Sequence, residues 1–250
     1  MICISVCATT QRDARRNIRR AMKYGDILEL RMDAIDDGNL DNLMRFMRGI
    51  APQKACLVTY RNTKPGVGHA GGDHAMRFAD TERRWEMLRQ AVRLGADYVD
   101  VELEDPDERI ADLRGLIRQF GNRTKLICSH HEYRKTPSLK TLKEIYHVCR
   151  DKGGDVIKIV PFARKITDNI RIFQFLAWCA KREEKDVVAF CMGEAGRLSR
   201  VAAPLFGAAF TFAALDDRSA AAPGQIPAGK MIPIMRMLEK GLETGSNCKR

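Results

Sequence analysis

The feature that most constrains the fold is a regular alternation of strand-like and helix-like segments along the chain. Short apolar runs rich in β-branched residues recur, and each is followed by a segment with helical periodicity. The predicted strands are 2–8, 27–33, 55–61, 98–104, 125–131, 155–162, 186–193 and 209–215. The predicted helices are 13–24, 40–49, 80–94, 107–120, 137–149, 166–182, 196–205 and 231–240. For the fifth helix, Thr136 is the expected N-cap and Pro137 the first residue.

Eight strand–helix units within 250 residues predict an α/β fold, a (β/α)₈ barrel. We expect one domain over residues 1–250, with a flexible tail at 243–250. A doubly wound open sheet is the alternative architecture. It is disfavoured because no GxGxxG motif follows the first strand and no glycine-rich phosphate loop occurs elsewhere.

The chain is basic, with 43 lysines and arginines against 32 aspartates and glutamates and a formal net charge of +11. Such an excess favours either nucleic acid or an anionic small substrate. The arginines are scattered over predicted helix surfaces and form no dense basic run, so we expect no nucleic-acid partner.

The eight cysteines contain no CxxC pair, and most lie in apolar segments. This is typical of buried thiols in a reducing cytosol and not of a disulfide framework or a metal site. The longest apolar run, 201–215, is interrupted by Pro204 and Gly207 and is too short to cross a bilayer. The sequence starts in a strand without a basic leader, so we expect a cytoplasmic protein with no membrane partner.

One predicted strand, 155–162, carries a lysine at its centre. Side chains alternate between the faces of a strand, so Lys158 shares a face with Val156 and Val160. If both faces are buried, the interior favours the neutral amine, which is a nucleophile for carbonyl groups. The alternative interpretation, more common for an isolated strand lysine, is an exposed position or a structural ion pair.

The same alternation selects the side chains that point into the predicted barrel. One face of each strand is almost purely apolar and is assigned to the helix layer, which sends the other face inward. The inward set is Ser5, Cys7, Glu29, Arg31, Thr59, Arg61, Asp100, Glu102, Glu104, Ser129, His131, Lys158, Phe190 and Met192. Because so many charges are costly to bury, their concentration predicts a functional site. Taken singly, His131 also fits a structural core histidine, and Arg31 also fits a neutralising partner for Glu29.

A lysine and a histidine in one barrel indicate Schiff-base chemistry, in which the lysine forms an imine and the histidine moves a proton. Arginines in the same pocket favour a carboxylate or phosphate substrate. Two reactions fit these residues: a dehydration that removes a proton next to the imine, and an aldol cleavage of a carbon–carbon bond.

Seven short segments, in order over about residues 2–238, resemble the type I 3-dehydroquinate dehydratase family. They are ELRMD at 29–33, Thr59-Tyr60-Arg61, DVE at 100–102, SHHEY at 129–133, DVIKI at 155–159, LSR at 198–200 and APGQI at 222–226. The resemblance implies dehydration of 3-dehydroquinate to 3-dehydroshikimate in the shikimate pathway, without cofactor or metal. It also implies a homodimer.

By this resemblance, Lys158 forms the imine with the ring ketone. His131 is first the general base and then the acid for the departing hydroxyl. Arg200 binds the substrate carboxylate, and Gln225 closes over it. The remaining implied substrate contacts are Glu29, Arg31 and Arg61 at the ring hydroxyls, Met192 and Phe190 against the ring, and Ser5 at the barrel floor.

The loop after the third strand departs from the family pattern. The family usually has a glutamate just before a Gly-Gly pair, near the catalytic histidine, whereas residues 64–72 contain no acid. Asp73, Asp33 and Asp100 are the candidates to orient His131 instead.

The loop after the eighth strand departs as well, because Ala221 stands where the family often has a serine, with Ser219 nearby. The two departures keep open another Schiff-base barrel lyase of the aldolase type and a catalytically silent barrel with a binding role. The loops 62–73 and 216–227 contain Gly, Ala and Pro residues that allow hinge motion, and we predict that they act as lids.

Overall fold

The computed structural model describes residues 1–61, 74–182, 186–219 and 221–245, and in that part of the chain eight parallel strands form one sheet. The sheet order is β7-β6-β5-β4-β3-β2-β1-β8, so β1 to β6 each pair with the next strand along the chain, and β8 pairs with β1. The strands are β1 (Ile2–Val6), β2 (Ile27–Arg31), β3 (Ala55–Thr59), β4 (Tyr98–Glu102), β5 (Lys125–Glu132), β6 (Val156–Pro161), β7 (Val187–Ala189) and β8 (Thr211–Ala213). Between β7 and β8, the backbone N–H of Ala209 donates to the carbonyl of Val187 at 2.8 Å, and the sheet is a nearly closed barrel.

Each strand is followed by a helix on the outside of the barrel. The helices are α1 (Gln11–Ala21), α2 (Leu40–Ile50), α3 (His74–Arg93), α4 (Asp107–Gln119), α5 (Leu139–Asp151), α6 (Asn169–Ala180), α7 (Arg197–Ala202) and α8 (Ala228–Gly245). Short 3₁₀ turns precede α6 and α7 and follow β2 and α7. This confirms the predicted α/β class and the (β/α)₈ order.

The helix ends differ from the prediction at several places. Ser138, and not Thr136, caps α5, because its hydroxyl accepts the N–H of Thr141 at 3.2 Å. Thr136 instead donates its hydroxyl to the carbonyl of Phe162 at 2.9 Å and so connects the loop after β5 to the end of β6. The last helix reaches Gly245, so three residues of the predicted tail are helical and the rest of it lies outside the described residues.

The core follows the alternation of the strands. Outward residues such as Ile4, Leu28, Val58 and Val99 are buried beneath the helices. The inward residues near the strand starts are also apolar, and they close the barrel at this end. They include Cys3, Ile27, Leu57, Ile127 and Val156. On these five strands a polar inward residue comes two positions later, so the site opens at the carboxyl ends of the strands.

Carboxylates hold the opposite, amino-terminal end of the barrel together. In three places an aspartate just before one strand accepts the N–H at or near the start of the neighbouring strand. The pairs are Asp26 with Ile2 at 2.8 Å, Asp97 with Cys56 at 2.7 Å and Asp155 with Leu126 at 2.8 Å. No helix in the described ranges is both long and apolar enough to cross a membrane.

Candidate active site

Lys158 lies at the centre of the barrel. Every residue of β6 is buried, and Lys158 is only 4% exposed. Its Nζ lies 3.0 Å from Oδ2 of Asp100 and 4.3 Å from the centroid of the Phe212 ring. The lysine is therefore buried, as the strand pattern predicts, and it also has a buried carboxylate partner.

Asp100 joins three side chains of the site. Arg61 donates to both of its carboxylate oxygens at 2.9 Å, and the Ser129 hydroxyl donates to Oδ1 at 2.7 Å. Burial alone would raise the pKa of Asp100, but the charges of Arg61 and Lys158 and the Ser129 hydrogen bond hold it well below the ordinary aspartate value. Asp100 is therefore an anion in the interior of the barrel.

Arg31, the last residue of β2, and Arg61, two residues after β3, have different partners. Arg61 contacts Asp100 and, at 3.5 Å, Glu102, whereas Arg31 forms a two-pronged ion pair with Asp33 at 2.9 and 2.7 Å. The direct ion-pair partner of Arg31 is therefore Asp33, while the charge of Glu29 also acts on the Arg31 guanidinium without a hydrogen bond between them. β2 ends at Arg31, and the following 3₁₀ turn returns the Asp33 carboxylate to its guanidinium.

Glu29 is held by hydroxyl groups at the floor of the site. It accepts hydrogen bonds from Ser5 and, at 2.9 Å, from Thr59. Glu29 is 3% exposed, and both donors are at most 1% exposed. These bonds fix the carboxylate in one orientation and leave it further lone pairs that can accept a ligand hydroxyl.

His131 lies near the end of β5, on the face that carries Ser129, and is partly exposed. Its ring is nearly parallel to that of Tyr133, with centroids 6.1 Å apart. Burial, together with the positive charges of Arg61 and Lys158, holds the pKa of His131 well below its ordinary value. The imidazole is therefore neutral near pH 7 and available to accept a proton.

Two of the residues considered for orienting His131 are engaged elsewhere. Asp33 binds Arg31, and Asp100 binds Arg61 and Lys158. The third candidate, Asp73, and the loop 62–73 that we predicted as a lid lie outside the described residues.

Glu104 does not point into the barrel, contrary to the strand pattern. β4 ends at Glu102 and the chain turns at residues 103–104, so the alternation no longer applies at Glu104. A carboxylate oxygen of Glu104 lies 2.8 Å from Nδ1 of His130, and the Glu104 side chain is 40% exposed. The pair lies at the rim of the barrel.

Arg200 is the one inward arginine of the site without a carboxylate partner among the described residues. It lies on α7, is 1% exposed, and is stacked 4.6 Å from the Phe190 ring centroid. One Nη donates to the carbonyl of Pro223 at 3.3 Å, while its buried Nε has no hydrogen-bond partner in the described ranges. Burial lowers the pKa of Arg200 to about 10. The arrangement is suited to receive an anion.

The loop after β8 packs closely on the loop after β7. Gly224 has φ +77°, and a Cβ there would lie 2.1 Å from the carbonyl oxygen of Gly193, so only glycine fits. Gly193 N–H donates to the Pro223 carbonyl at 3.1 Å. Within the loop, the Ala221 N–H donates to the Gln225 side chain at 2.6 Å. Gln225 is buried, and these contacts hold its loop beside the segment that leads into α7, which carries Arg200.

Ser219 does not take the place of a hydroxyl at position 221. Its Oγ accepts the Asp216 N–H at 2.9 Å and donates to the Asp216 carbonyl at 3.3 Å, so it closes a local turn. Residues 216–219 and 221–227 of the predicted second lid are described, and they are held by these contacts.

Apolar side chains form one wall of the site. Phe190 and Met192, both expected to point inward, are each 2% exposed. Phe212 on β8 completes the wall, with its ring 5.9 Å from that of Phe190. The sequence reasoning missed Phe212, although its position in the middle of the eighth strand and the alternation rule were sufficient to find it.

The chain matches the family model described as type I 3-dehydroquinase over residues 2–241. A 3-dehydroquinate dehydratase of Methanococcus maripaludis is 31% identical over 239 residues, which cover 96% of this chain and all of that protein. A 3-dehydroquinate dehydratase of Desulfotalea psychrophila is 34% identical over 230 residues, 92% of this chain and 94% of that protein. The crystal structure of the 3-dehydroquinate dehydratase from Geobacillus kaustophilus superposes with a TM-score of 0.81 at 26% identity, over 96% of this chain and 91% of that one.

Proposed function

The chain belongs to the type I 3-dehydroquinase family, and from this membership we propose how its own residues carry out the reaction. The protein is a lyase that dehydrates 3-dehydroquinate to 3-dehydroshikimate, a step of the shikimate pathway, through a Schiff base. Family membership favours this dehydration over an aldolase-type cleavage and over a catalytically silent barrel.

Lys158 forms the imine. The observation that carries the proposal is the position of its Nζ, buried at the centre of the barrel beside Asp100 and the face of Phe212. Once the amine has lost a proton, it adds to the ring ketone of the substrate, and loss of water leaves a cationic imine. The negative charge of Asp100 stabilises this cation in a site of low dielectric constant.

His131 moves the proton. Its lowered pKa supports a neutral ring that removes the proton from the carbon next to the imine. The electron pair of that C–H bond moves into the imine and gives an enamine. When the electrons return, the hydroxyl departs as water with the proton that His131 holds. Hydrolysis of the imine then releases the product and frees Lys158.

Arg200 binds the substrate carboxylate. Its buried guanidinium has an unpartnered Nε among the described residues, so a carboxylate supplies both the missing hydrogen bond and the missing charge. Gln225, buried in the loop that covers Arg200, closes over the same group.

The remaining substrate contacts follow the lining of the barrel. Glu29, Arg31 and Arg61 hold the ring hydroxyls, and Met192 packs against the ring. Ser5 acts through Glu29, because its hydroxyl already donates to that carboxylate. Since the imine itself accepts the electron pair, the reaction uses no cofactor and no metal, and dialysis against EDTA is expected to leave activity unchanged.

Borohydride trapping tests the proposal. Reduction of the protein in the presence of 3-dehydroquinate is expected to give a single adduct, mapped by peptide mass spectrometry to Lys158. Lys158→Ala is expected to give neither adduct nor turnover, whereas the control Lys140→Ala, which changes an exposed lysine on the surface of α5, keeps both. His131→Ala is expected to form the adduct but to lose about 10²–10⁴-fold in kcat. Turnover by Lys158→Ala, or an adduct on another lysine, would overturn the assignment.

The protein acts in the cytoplasm as a single (β/α)₈ domain, with no nucleic-acid or membrane partner. The seven cysteines in the described ranges are all free thiols, which supports a reducing compartment. The excess of positive charge then produces an electrostatic field that attracts an anionic substrate. A DNA-binding assay at low salt is expected to show no specific complex.

The working unit is a homodimer. Exposed apolar side chains on α6, α7 and the 3₁₀ turns next to them support it: Ile166, Ile170, Leu198 and Phe206. Phe206 also stacks on Phe173 with centroids 4.4 Å apart. Because exposed apolar patches mark interaction surfaces, Ile170→Asp is expected to give monomers in sedimentation velocity. Met237→Asp, at an exposed apolar position on α8, is the matched control and is expected to leave the dimer intact.

A further inference from the structure

A buried ion pair lies behind the site, between α3 and the loop after β4. Nη1 and Nη2 of Arg84 donate to Oδ1 and Oδ2 of Asp105 at 2.8 and 2.6 Å. Both side chains are 3% exposed, and the Arg84 guanidinium also lies 5.0 Å from the ring of Trp85. Neither residue belongs to the substrate contacts described above.

Each member of the pair also binds the backbone at the end of a strand. Nε of Arg84 donates to the carbonyl of Tyr60 at 2.7 Å, and Tyr60 follows β3 and precedes Arg61. Oδ2 of Asp105 accepts the N–H of Glu102, the last residue of β4, at 2.7 Å. The pair therefore connects the carboxyl ends of two neighbouring strands.

Those two strand ends carry side chains of the site. Arg61 approaches Glu102 at 3.5 Å and holds Asp100 with two hydrogen bonds at 2.9 Å. Asp100 in turn contacts Lys158. A shift of either strand end therefore changes the position of Arg61 and, through Asp100, the surroundings of the lysine.

A purely structural explanation of this pair is weak. Buried ion pairs contribute little net stability, since desolvation of both charges offsets their attraction, and an apolar pair of similar volume holds a helix on a sheet equally well. An apolar pair has no donor for the Tyr60 carbonyl and no acceptor for the Glu102 N–H. What the charged pair provides beyond packing is a fixed distance and direction between the two strand ends.

We propose that Arg84 and Asp105 are positioning residues that hold the ends of β3 and β4 so that Arg61 and Glu102 meet Asp100 and the substrate in productive geometry. The inference rests on the proposed function, because it needs Arg61 to act in the site. Arg84→Lys removes the forked donor while keeping the charge, and Asp105→Asn removes the charge while keeping an acceptor. Each is expected to lower kcat/KM about tenfold to a hundredfold, the effect of misplacing groups in a preorganised site.

The opposite end of the same two strands offers a matched control. Arg48 binds Asp97 at 2.7 Å and the carbonyl of Gly95 at 3.1 Å, and Asp97 accepts the N–H of Cys56 at the start of β3. Arg48→Lys and Asp97→Asn therefore loosen a more exposed Arg–Asp connection at the closed end of the barrel, whose side chains are 35% and 40% exposed. They are expected to change the melting temperature but to leave kcat/KM within about twofold of the wild-type value. All variants are assayed at a temperature at which circular dichroism shows them folded.

Two further readouts separate positioning from stability. In a double-mutant cycle, Arg84→Lys and Arg61→Lys are expected to be strongly non-additive in kcat/KM, because one acts through the other. The acid limb of the kcat/KM profile is also expected to move to higher pH in Arg84→Lys. The charged groups facing His131 are Arg61, Lys158, Asp100 and His130, and displacing the cation Arg61 raises the pKa of His131.

The outcomes distinguish this inference from the proposed function. If wild-type protein forms no borohydride adduct with 3-dehydroquinate, the proposed function fails before Arg84 is tested. If the wild type is active, additive effects of Arg84→Lys and Arg61→Lys would overturn the inference alone. Losses of kcat/KM equal to those of the Arg48 and Asp97 variants would overturn it in the same way.

Discussion

Replacing Asp100 with asparagine is expected to destabilise the protein by about 3–5 kcal/mol at pH 7, the cost of removing one partner from a buried ion pair. The carboxylate receives two hydrogen bonds from Arg61 and one from Ser129, and it lies 3.0 Å from the Lys158 amine. Asparagine keeps the shape of the side chain but removes its charge. Two buried cations then remain beside each other without the anion between them.

The loss depends on pH in a defined direction. The pKa of Asp100 in the folded protein lies well below its ordinary value, because the charges of Arg61 and Lys158 outweigh the effect of burial. A carboxyl group of this kind stabilises the fold above its unfolded pKa, and the stabilisation disappears as the pH falls through the folded pKa. The difference in unfolding free energy between wild type and Asp100→Asn is therefore at its full value above about pH 5 and becomes smaller below about pH 4.

Urea unfolding followed by circular dichroism at pH 7, 5 and 3.5 measures this difference. Asp41→Asn is the control, because Asp41 forms an exposed pair with Arg45 on α2, and its loss is expected to change the free energy of unfolding by no more than about 0.5 kcal/mol. Equal unfolding midpoints for Asp100→Asn and wild type at pH 7 would refute the reasoning. If the difference in unfolding free energy between wild type and Asp100→Asn is as large at pH 3.5 as at pH 7, the role assigned to the charge of Asp100 is refuted.

Three further predictions concern the site. Arg200→Met is expected to lower kcat/KM about hundredfold, mainly by raising KM, as measured by steady-state kinetics. It is also expected to raise the stability of the unliganded protein in urea unfolding, because it removes a buried cation without a carboxylate partner among the described residues. A less stable variant would contradict the argument. As the pH is lowered, kcat/KM is expected to keep its full value to well below pH 6.5, because burial and neighbouring positive charges lower the pKa of His131. A fall in kcat/KM with a midpoint at or above pH 6.5 would count against His131 as the base. Gly224→Ala is expected to lower kcat/KM about tenfold, since its Cβ would meet the carbonyl of Gly193, whereas Gly229→Ala, where a Cβ meets nothing within 4 Å, is expected to have no effect on the same assay.

The barrel and most of its interior could be predicted from the sequence because strand alternation depends on neighbouring residues alone. The starts of all eight strands lie within two residues of their predicted positions. The burial of Lys158, Glu29 and Asp100 follows from the same rule. Residues that act inside a regular strand were therefore accessible to sequence reasoning.

The partners of the charged residues could not be predicted in the same way, because they depend on where strands end and how loops turn back. Arg31 binds Asp33 because β2 stops and a 3₁₀ turn follows. Glu104 leaves the interior because β4 stops at Glu102. These pairings depend on the backbone conformation just after each strand ends, which the alternation rule does not describe.

The charges inside the barrel support the proposal that the site selects a substrate with a carboxylate. Lys158, Arg61 and Arg31 each have a carboxylate within 4 Å. Arg200 is as deeply buried as any of them, yet within the described residues it has a carbonyl and an aromatic ring as neighbours and no carboxylate. Burying a cation without its counter-ion costs the folded protein free energy, and a ligand carboxylate recovers that cost on binding. Under the proposed function, a ketone without an acid group can reach the amine of Lys158 but leaves Arg200 unpaired, so we expect it to be a poorer substrate than a ketone that carries a carboxylate.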